Sequence, residues 1–132
     1  MNLLLDTQMI IWATFWPELP PKQTREFIAD ENNDIFFSPA SLWEVATKTA
    51  LNRPDFQVDS KILRGQLLEC GYHEIAITGH HTTAVSDLPM LHKDLFDRLL
   101  LAQAKEENIS LVTSDEKLSD YPAPVILIRK FK

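Results

Sequence analysis

"HKDLFDRLLLAQAKEENISLVTSD", residues 92–115, carries the two patterns that decide the fold. Beyond Asp94 the chain repeats at helical spacing, with Leu95, Leu99 and Ala102 in one row and Phe96, Leu100 and Gln103 in the next. That spacing predicts a helix with a buried face, running to about Glu107. ISLVTSD, residues 109–115, then reads as a short strand that ends in an acid. A helix leading directly into an apolar strand is one unit of an α/β fold with a mainly parallel sheet, provided the remaining chain repeats the alternation.

The rest of the sequence does repeat it. Leu3 to Leu5 reads as a short buried strand closed by Asp6-Thr7, and Met9 to Phe15 as a helical turn or two halted by Pro17, Pro20 and Pro21. Lys22 to Ala29 has the pattern of an amphipathic helix with Phe27 and Ile28 inward, and Asn32-Asn33-Asp34 is a turn signal. Ile35 to Phe37 reads as a second strand, followed by Ser38 as N-cap and Pro39 as first residue of a helix to about Leu51. A helix over about 60–69 buries Ile62, Leu63 and Leu67 and stops at Gly71. Ile75 to Ile77 reads as a strand, 80–87 as a short helix, 115–119 as one turn of helix, and 125–128 as the last strand. The expectation is one α/β domain over residues 1–132, a short and mainly parallel central sheet flanked by helices.

A chain of 132 residues can bury roughly two-thirds of its unfolded surface, enough for an ordinary core. With 45% hydrophobic and 24% charged residues, the composition is that of a soluble globular protein. No apolar stretch approaches the roughly 20 residues of a membrane span, and MNLLLDTQ has no basic region of a signal peptide, so a cytoplasmic location is expected. Cys70 is the single cysteine; it excludes an internal disulfide and reads as a small packed hydrophobe. The net charge of −6 argues against holding nucleic acid by general phosphate neutralisation. It leaves open a nuclease whose acids hold cations, because the cations then meet the phosphate.

In open α/β sheets ligands sit beyond the carboxyl ends of the strands. Asp6 follows the first strand and Asp115 follows the strand at 111–113, so both fall on one sheet edge. Glu44 stands in the early turns of the helix after the second strand, and Asp97 in the first turn of the helix before residues 111–113. Helix amino termini favour anions. Two like charges 4 Å apart still cost about 4 kcal/mol at an effective dielectric of about 20, so four carboxylates in one cleft call for a cation. Oxygen donors suit Mg²⁺ or Mn²⁺, and such ions orient a water for in-line attack on a phosphodiester. Each acid also has a plainer reading. Asp94 and Asp97 have the spacing of a reciprocal helix cap, Asp115 can cap the turn after it, Asp6 can be a turn residue, and Glu44 can pair with Lys48 at i+4.

Four segments in order, LLLDTQMIIWA (3–13), SPASLWEVATK (38–48), LPMLHKDLFDRLLLAQA (88–104) and ISLVTSDEKLSDY (109–121), together resemble the PIN-domain family, closely its VapC-type toxins. The resemblance implies an α/β/α domain, a Mg²⁺- or Mn²⁺-dependent endoribonuclease leaving a 5′-phosphate and 3′-hydroxyl, and an acidic quartet at Asp6, Glu44, Asp97 and Asp115. It also implies an RNA substrate, a small antitoxin protein laid across the cleft on an exposed apolar groove, and a homodimer. Asp94 matches the other acid of the central motif and reads as a cap or a support to the ligands; Ser114 reads as a donor to metal-bound water or phosphate. Leu95 stands where such toxins usually carry proline, and Gln8 where close relatives often have histidine.

Arg98 and Lys48 are candidate phosphate contacts, with a structural ion pair as the alternative, and Lys93 reads as solvated. His73, His80, His81 and His92 lack the HExxH spacing of a zinc site, and His92 is placed to orient the loop before Asp94. Trp12, Trp16 and Trp43 have mostly apolar neighbours and read as core or subunit interface rather than base-stacking platforms. The competing functional class is a PIN domain without catalysis that binds protein or RNA; four intact acids argue against it. An aspartyl-phosphate enzyme on a similar sheet is weaker, because LLLDTQM lacks a second aspartate after the first strand.

Overall fold

The computed structural model describes residues 1–129. The last positions of the domain expected from sequence, 130–132, lie outside the described residues. Five strands form one parallel sheet: β1 (Asn2–Leu5), β2 (Asp34–Phe37), β3 (His73–Glu74), β4 (Ser110–Thr113) and β5 (Val125–Leu127), in the spatial order β3-β2-β1-β4-β5. The helices are α1 (Thr7–Phe15), α2 (Lys22–Ala29), α3 (Pro39–Ala50), α4 (Ser60–Glu69), α5 (Gly79–Ala84) and α6 (Leu95–Glu107), with 3₁₀ turns at Val85–Asp87 and Glu116–Asp120.

β1 lies at the centre and its three leucines are fully buried. Their side chains alternate across the sheet: Leu3 and Leu5 join a core with Met9, Ile10, Phe37, Val45, Leu63 and Leu67, whereas Leu4 joins one with Leu100, Leu101, Ala104, Leu111 and Tyr121. A strand with helices on both faces has no solvent side, which is why residues 3–5 are all leucine instead of alternating with polar residues. α1 and α4 contribute to the first core, α6 and Ala84 of α5 to the second.

The helix boundaries follow from caps. Asp6 accepts from the Met9 N–H at 2.9 Å and starts α1 at Thr7, two residues earlier than the apolar pattern suggests. Ser38 caps α3 with Pro39 in its first turn, Asp59 caps α4, and Thr78 caps α5 in a box closed by the His81 ring. α6 ends at Asn108, whose φ of +55° is left-handed, and the Ile109 N–H returns to the Ala104 carbonyl as the chain turns into β4.

Three expectations are corrected, the first being Ile62, which α4 leaves 51% exposed while burying Leu63 and Leu67. The strand read at 75–77 is instead His73–Glu74: Ile75 N–H still bonds Phe37 O at 2.9 Å, but the Ile75 and Ala76 carbonyls accept from the Gln103 side-chain amide, so the ladder stops there. Cys70 is exposed, because it is the cap residue of α4 ahead of Gly71, whose φ is +87°.

Gln103 is fully buried on the apolar row of α6 and makes three connections at once, to the Ser38 hydroxyl and to the two carbonyls after β3. Gln103→Leu keeps the volume and orphans those groups, and orphaned buried polar groups cost about 1–3 kcal/mol each. We expect a loss of about 2–3 kcal/mol in urea unfolding, with an unchanged m-value.

Candidate active site

The strand order reverses between β1 and β4: from β1 the chain moves outward through β2 and β3, then returns to β4 and β5 on the other side. Such a switch point opens a crevice beyond the carboxyl ends of the two strands. Asp6 is the first residue after β1, its N–H bonded to Val112 O at 3.1 Å, and Asp115 is the second residue after β4. Asp6, Glu44, Asp97 and Asp115 all line one cleft of about 630 Å³, with Asp94, Ser114, Lys48 and Lys117 on the same walls. Trp12 and Phe56 form its apolar side.

Two threonines organise these acids. The Thr113 hydroxyl donates to Asp6 Oδ2 at 2.6 Å and accepts from the Asp115 N–H at 3.1 Å, so one side chain ties together the acids after β1 and β4. Thr7 Oγ1 lies 2.7 Å from Glu44 Oε1 and 2.9 Å from Ser41 Oγ. A hydroxyl has one proton, so when Thr7 donates to the Glu44 carboxylate, Ser41 donates to Thr7. Sequence reading missed both threonines and Ser41. The available signal was a small hydroxyl at a position due to face the core, where burial obliges it to find a polar partner.

Glu44 is buried, and Lys48 reaches its second oxygen at 2.8 Å, so the i+4 pair weighed from sequence forms inside the cleft. Asp115 Oδ1 caps the following 3₁₀ turn through Lys117 N–H at 3.0 Å. Asp94 Oδ1 accepts from the Phe96 and Asp97 N–H groups at 2.9 and 3.1 Å, the capping half of the reading. The reciprocal half is absent. Asp97 Oδ2 is 3.0 Å from His92 Nε2. His92, Asp94 and Asp97 bring ligand atoms within 4.8 Å of one another, a tighter gathering than the quartet itself achieves. Arg98, a candidate phosphate contact, is instead buried, with its guanidinium bonded to the carbonyls of Val85, Leu88 and Pro89 and to the Tyr121 hydroxyl. One residue along a helix turns a side chain by about 100°, enough to aim Asp97 at the cleft and Arg98 at the core.

Burial pushes the Asp6 carboxyl up from its ordinary 3.8 to about 6, against the pull of the Thr113 and Met9 hydrogen bonds; Glu44 and Asp115 push the same way as burial. Burial also raises Asp97, reinforced by the Asp94 charge and opposed by His92. Ser114 Oγ is buried and has no hydrogen-bond partner. Crowded carboxylates, raised acids and an unsatisfied hydroxyl on one cleft fit a hard divalent cation with its waters, which would supply the missing positive charge and an acceptor for Ser114. Trp12 packs against the core while lining the cleft, whereas Trp16 and Trp43 are exposed, so neither of these is core. Phe15, Trp16, Val58 and Ile62 line a separate groove of about 430 Å³.

A family model described as PIN domain matches residues 3–124. No match is found among curated proteins. Among solved structures, the chain is similar to VapBC2 from Rickettsia felis bound to a DNA fragment from its promoter, with TM-score 0.71, 22% identity, and 98% of each chain covered. It is also similar to a domain of a functionally unknown protein from Methanocaldococcus jannaschii, with TM-score 0.59, 17% identity, and 99% of this chain and 93% of that one covered. VapBC-5 from Mycobacterium tuberculosis, a member of the VapBC family of toxin-antitoxin systems, gives TM-score 0.54 at 16% identity over 97% of this chain and 98% of that one. At these identities the likeness is one of fold.

An acid whose pKa is higher folded than unfolded favours the folded state at low pH, and that contribution fades as the pH rises from about 4 to about 6. Metal-free protein should therefore lose stability across this window, with Asp6 accounting for ~1–3 kcal/mol. Thermal unfolding of Asp6→Asn at pH 4.5 and pH 7 should show a flatter pH dependence than wild type; equal slopes would count against the buried charge.

Proposed function

The chain belongs to the PIN-domain family, and from that premise we propose that it is a divalent-metal-dependent endoribonuclease, the VapC-type toxin of a toxin–antitoxin pair. The observation that carries this reading is the convergence of Asp6, Glu44, Asp97 and Asp115 on one cleft at the switch point of the sheet. Asp6, Asp97 and Asp115 would hold Mg²⁺ or Mn²⁺ with Glu44 beside them; bound there, the cation supplies positive charge for the phosphate and acidifies a water. The protein's own contribution is orientation. Thr113 and the Met9 N–H fix Asp6, Thr7 and Lys48 fix Glu44, and the Lys117 N–H fixes Asp115. Ser114 offers a free hydroxyl to a phosphate oxygen or a bound water. Among the described residues that line the cleft, Lys48 and Lys117 are the cations that would meet an RNA backbone.

The partners follow from two exposed apolar surfaces. The groove of Phe15, Trp16 and Ile62 suits one face of an amphipathic helix, the form in which a small antitoxin would bind beside the cleft. Trp43, 60% exposed and stacked edge-on against Phe96, with exposed Leu95 next to it in sequence, suits a second copy of the chain. No helix among the described residues is long and apolar enough to cross a membrane.

A ligand to the cation contributes several kcal/mol to the transition state, so Asp6→Asn and Asp97→Asn should each slow cleavage at least about 100-fold. The check is a time course on total cellular RNA with Mn²⁺, with chelator and with each variant. Discrete fragments dependent on metal and on both acids support the nuclease. Fragments that persist in Asp97→Asn remove Asp97 from the site, and absence of cleavage with retained metal binding favours an RNA- or protein-binding PIN domain.

A further inference from the structure

Residues 88–94 connect the 3₁₀ turn at Val85–Asp87 to α6 without regular structure, yet side chains hold this loop from two sides. On one side Arg98, 5% exposed, donates Nη1 to Pro89 O at 2.9 Å and Nη2 to Val85 O and Leu88 O at 3.2 and 3.4 Å. Arg98 Nη1 also meets the Tyr121 hydroxyl at 3.3 Å, and that hydroxyl donates to the His92 carbonyl at 3.4 Å. On the other side the His92 ring sits 3.0 Å from Asp97 Oδ2. Asp97 and Arg98 are consecutive in the first turns of α6, so one short stretch of helix anchors the loop with a buried guanidinium and receives its histidine on a carboxylate.

A buried guanidinium with only neutral partners is a costly way to fasten a loop, and a lysine could not reach four oxygens with one fork. What the fastening achieves is the placement of one ring. We propose that His92 is a positioning residue for Asp97: its Nε2–H holds Oδ2, so that the other carboxylate oxygen is presented to a divalent cation, while Arg98 and Tyr121 hold His92 in turn. This rests on the reading of Asp97 as a metal ligand. Asp94 cannot hold Asp97 in this way, because an ionised carboxylate only accepts; its Oδ1 instead takes two backbone N–H groups at the start of α6. Hydrogen bonds to a ligating carboxylate orient it and set its basicity, and losing one typically costs 10–100-fold in metal affinity.

The test is Mn²⁺ binding to the intact protein, followed by the electron paramagnetic resonance signal of free Mn²⁺ and needing no RNA. His92→Ala should raise the Mn²⁺ Kd about 10–100-fold. His92→Gln, whose amide can donate to Oδ2, should recover most of that loss, and Tyr121→Phe should give a smaller increase. In an Asp97→Asn background His92→Ala should add nothing, since the partner of the ring has gone. Wild-type affinity in His92→Ala, or an undiminished effect in the Asp97→Asn background, overturns the proposal. Hyperfine coupling of bound Mn²⁺ to a nitrogen that disappears in His92→Ala also overturns it, by making His92 a ligand. If Asp97→Asn alone binds Mn²⁺ normally, the fault lies with the metal site proposed above and not with His92.

Discussion

Repulsion between carboxylates that share a poorly solvated cleft is the constraint around which the polar structure of this protein is arranged. The pairing of β1 with β4 forces Asp6 and Asp115 to the same edge. Glu44 and Asp97 enter from helices packed against that edge; besides burial, Glu44 and Asp115 raise the cost of ionising Asp6, and Asp94, Glu44 and Asp6 raise that of Asp97. Nothing in the hydrophobic packing requires this. Asp6 and Asp115 do cap the segments that follow them, but capping by itself does not call for four acids on one cleft.

The protein contains the repulsion by three means. Helix and 3₁₀ amino termini meet Asp6, Asp94 and Asp115 with backbone N–H groups. Threonine hydroxyls at positions 7 and 113 donate to Glu44 and Asp6. Lys48 and His92 bring the side-chain donors that meet Glu44 and Asp97. These contacts satisfy one or two of the lone pairs on each acid, while all four side chains of the quartet line the cleft. The same contacts therefore hold the carboxylates in place and keep them available to a cation.

Much of the fold was legible because it depends on periodicities a few residues long. The leucines at 3–5, the helical rows of α6, and the Ser38-Pro39 and Asp94 starts all act through a segment's own backbone or its immediate burial. Two of the misreadings share one cause. Ile75–Ile77 is as apolar as a strand, yet a glutamine from α6 takes two of its carbonyls; Asp97 has the spacing to close a capping box, yet a histidine from the preceding loop takes its oxygen. In each case a local preference lost to a partner supplied by tertiary packing. Arg98 was ambiguous for a related reason: the direction of its side chain depends on carbonyls at 85, 88 and 89 that have no sequence signature.

By itself, the sequence determined the alternation of strands and helices and the two-sided burial of β1, since each is written in residue types and spacings within a single element. The local caps and the Glu44–Lys48 pair aside, tertiary structure decided how the acids are held. Thr113 reaches Asp6 across 107 positions of chain, Thr7 reaches Glu44 across 37, and Tyr121 reaches the His92 backbone across 29. A hydroxyl's partner is set by whatever lies within about 3 Å once the sheet has formed, and no spacing along the chain encodes that distance.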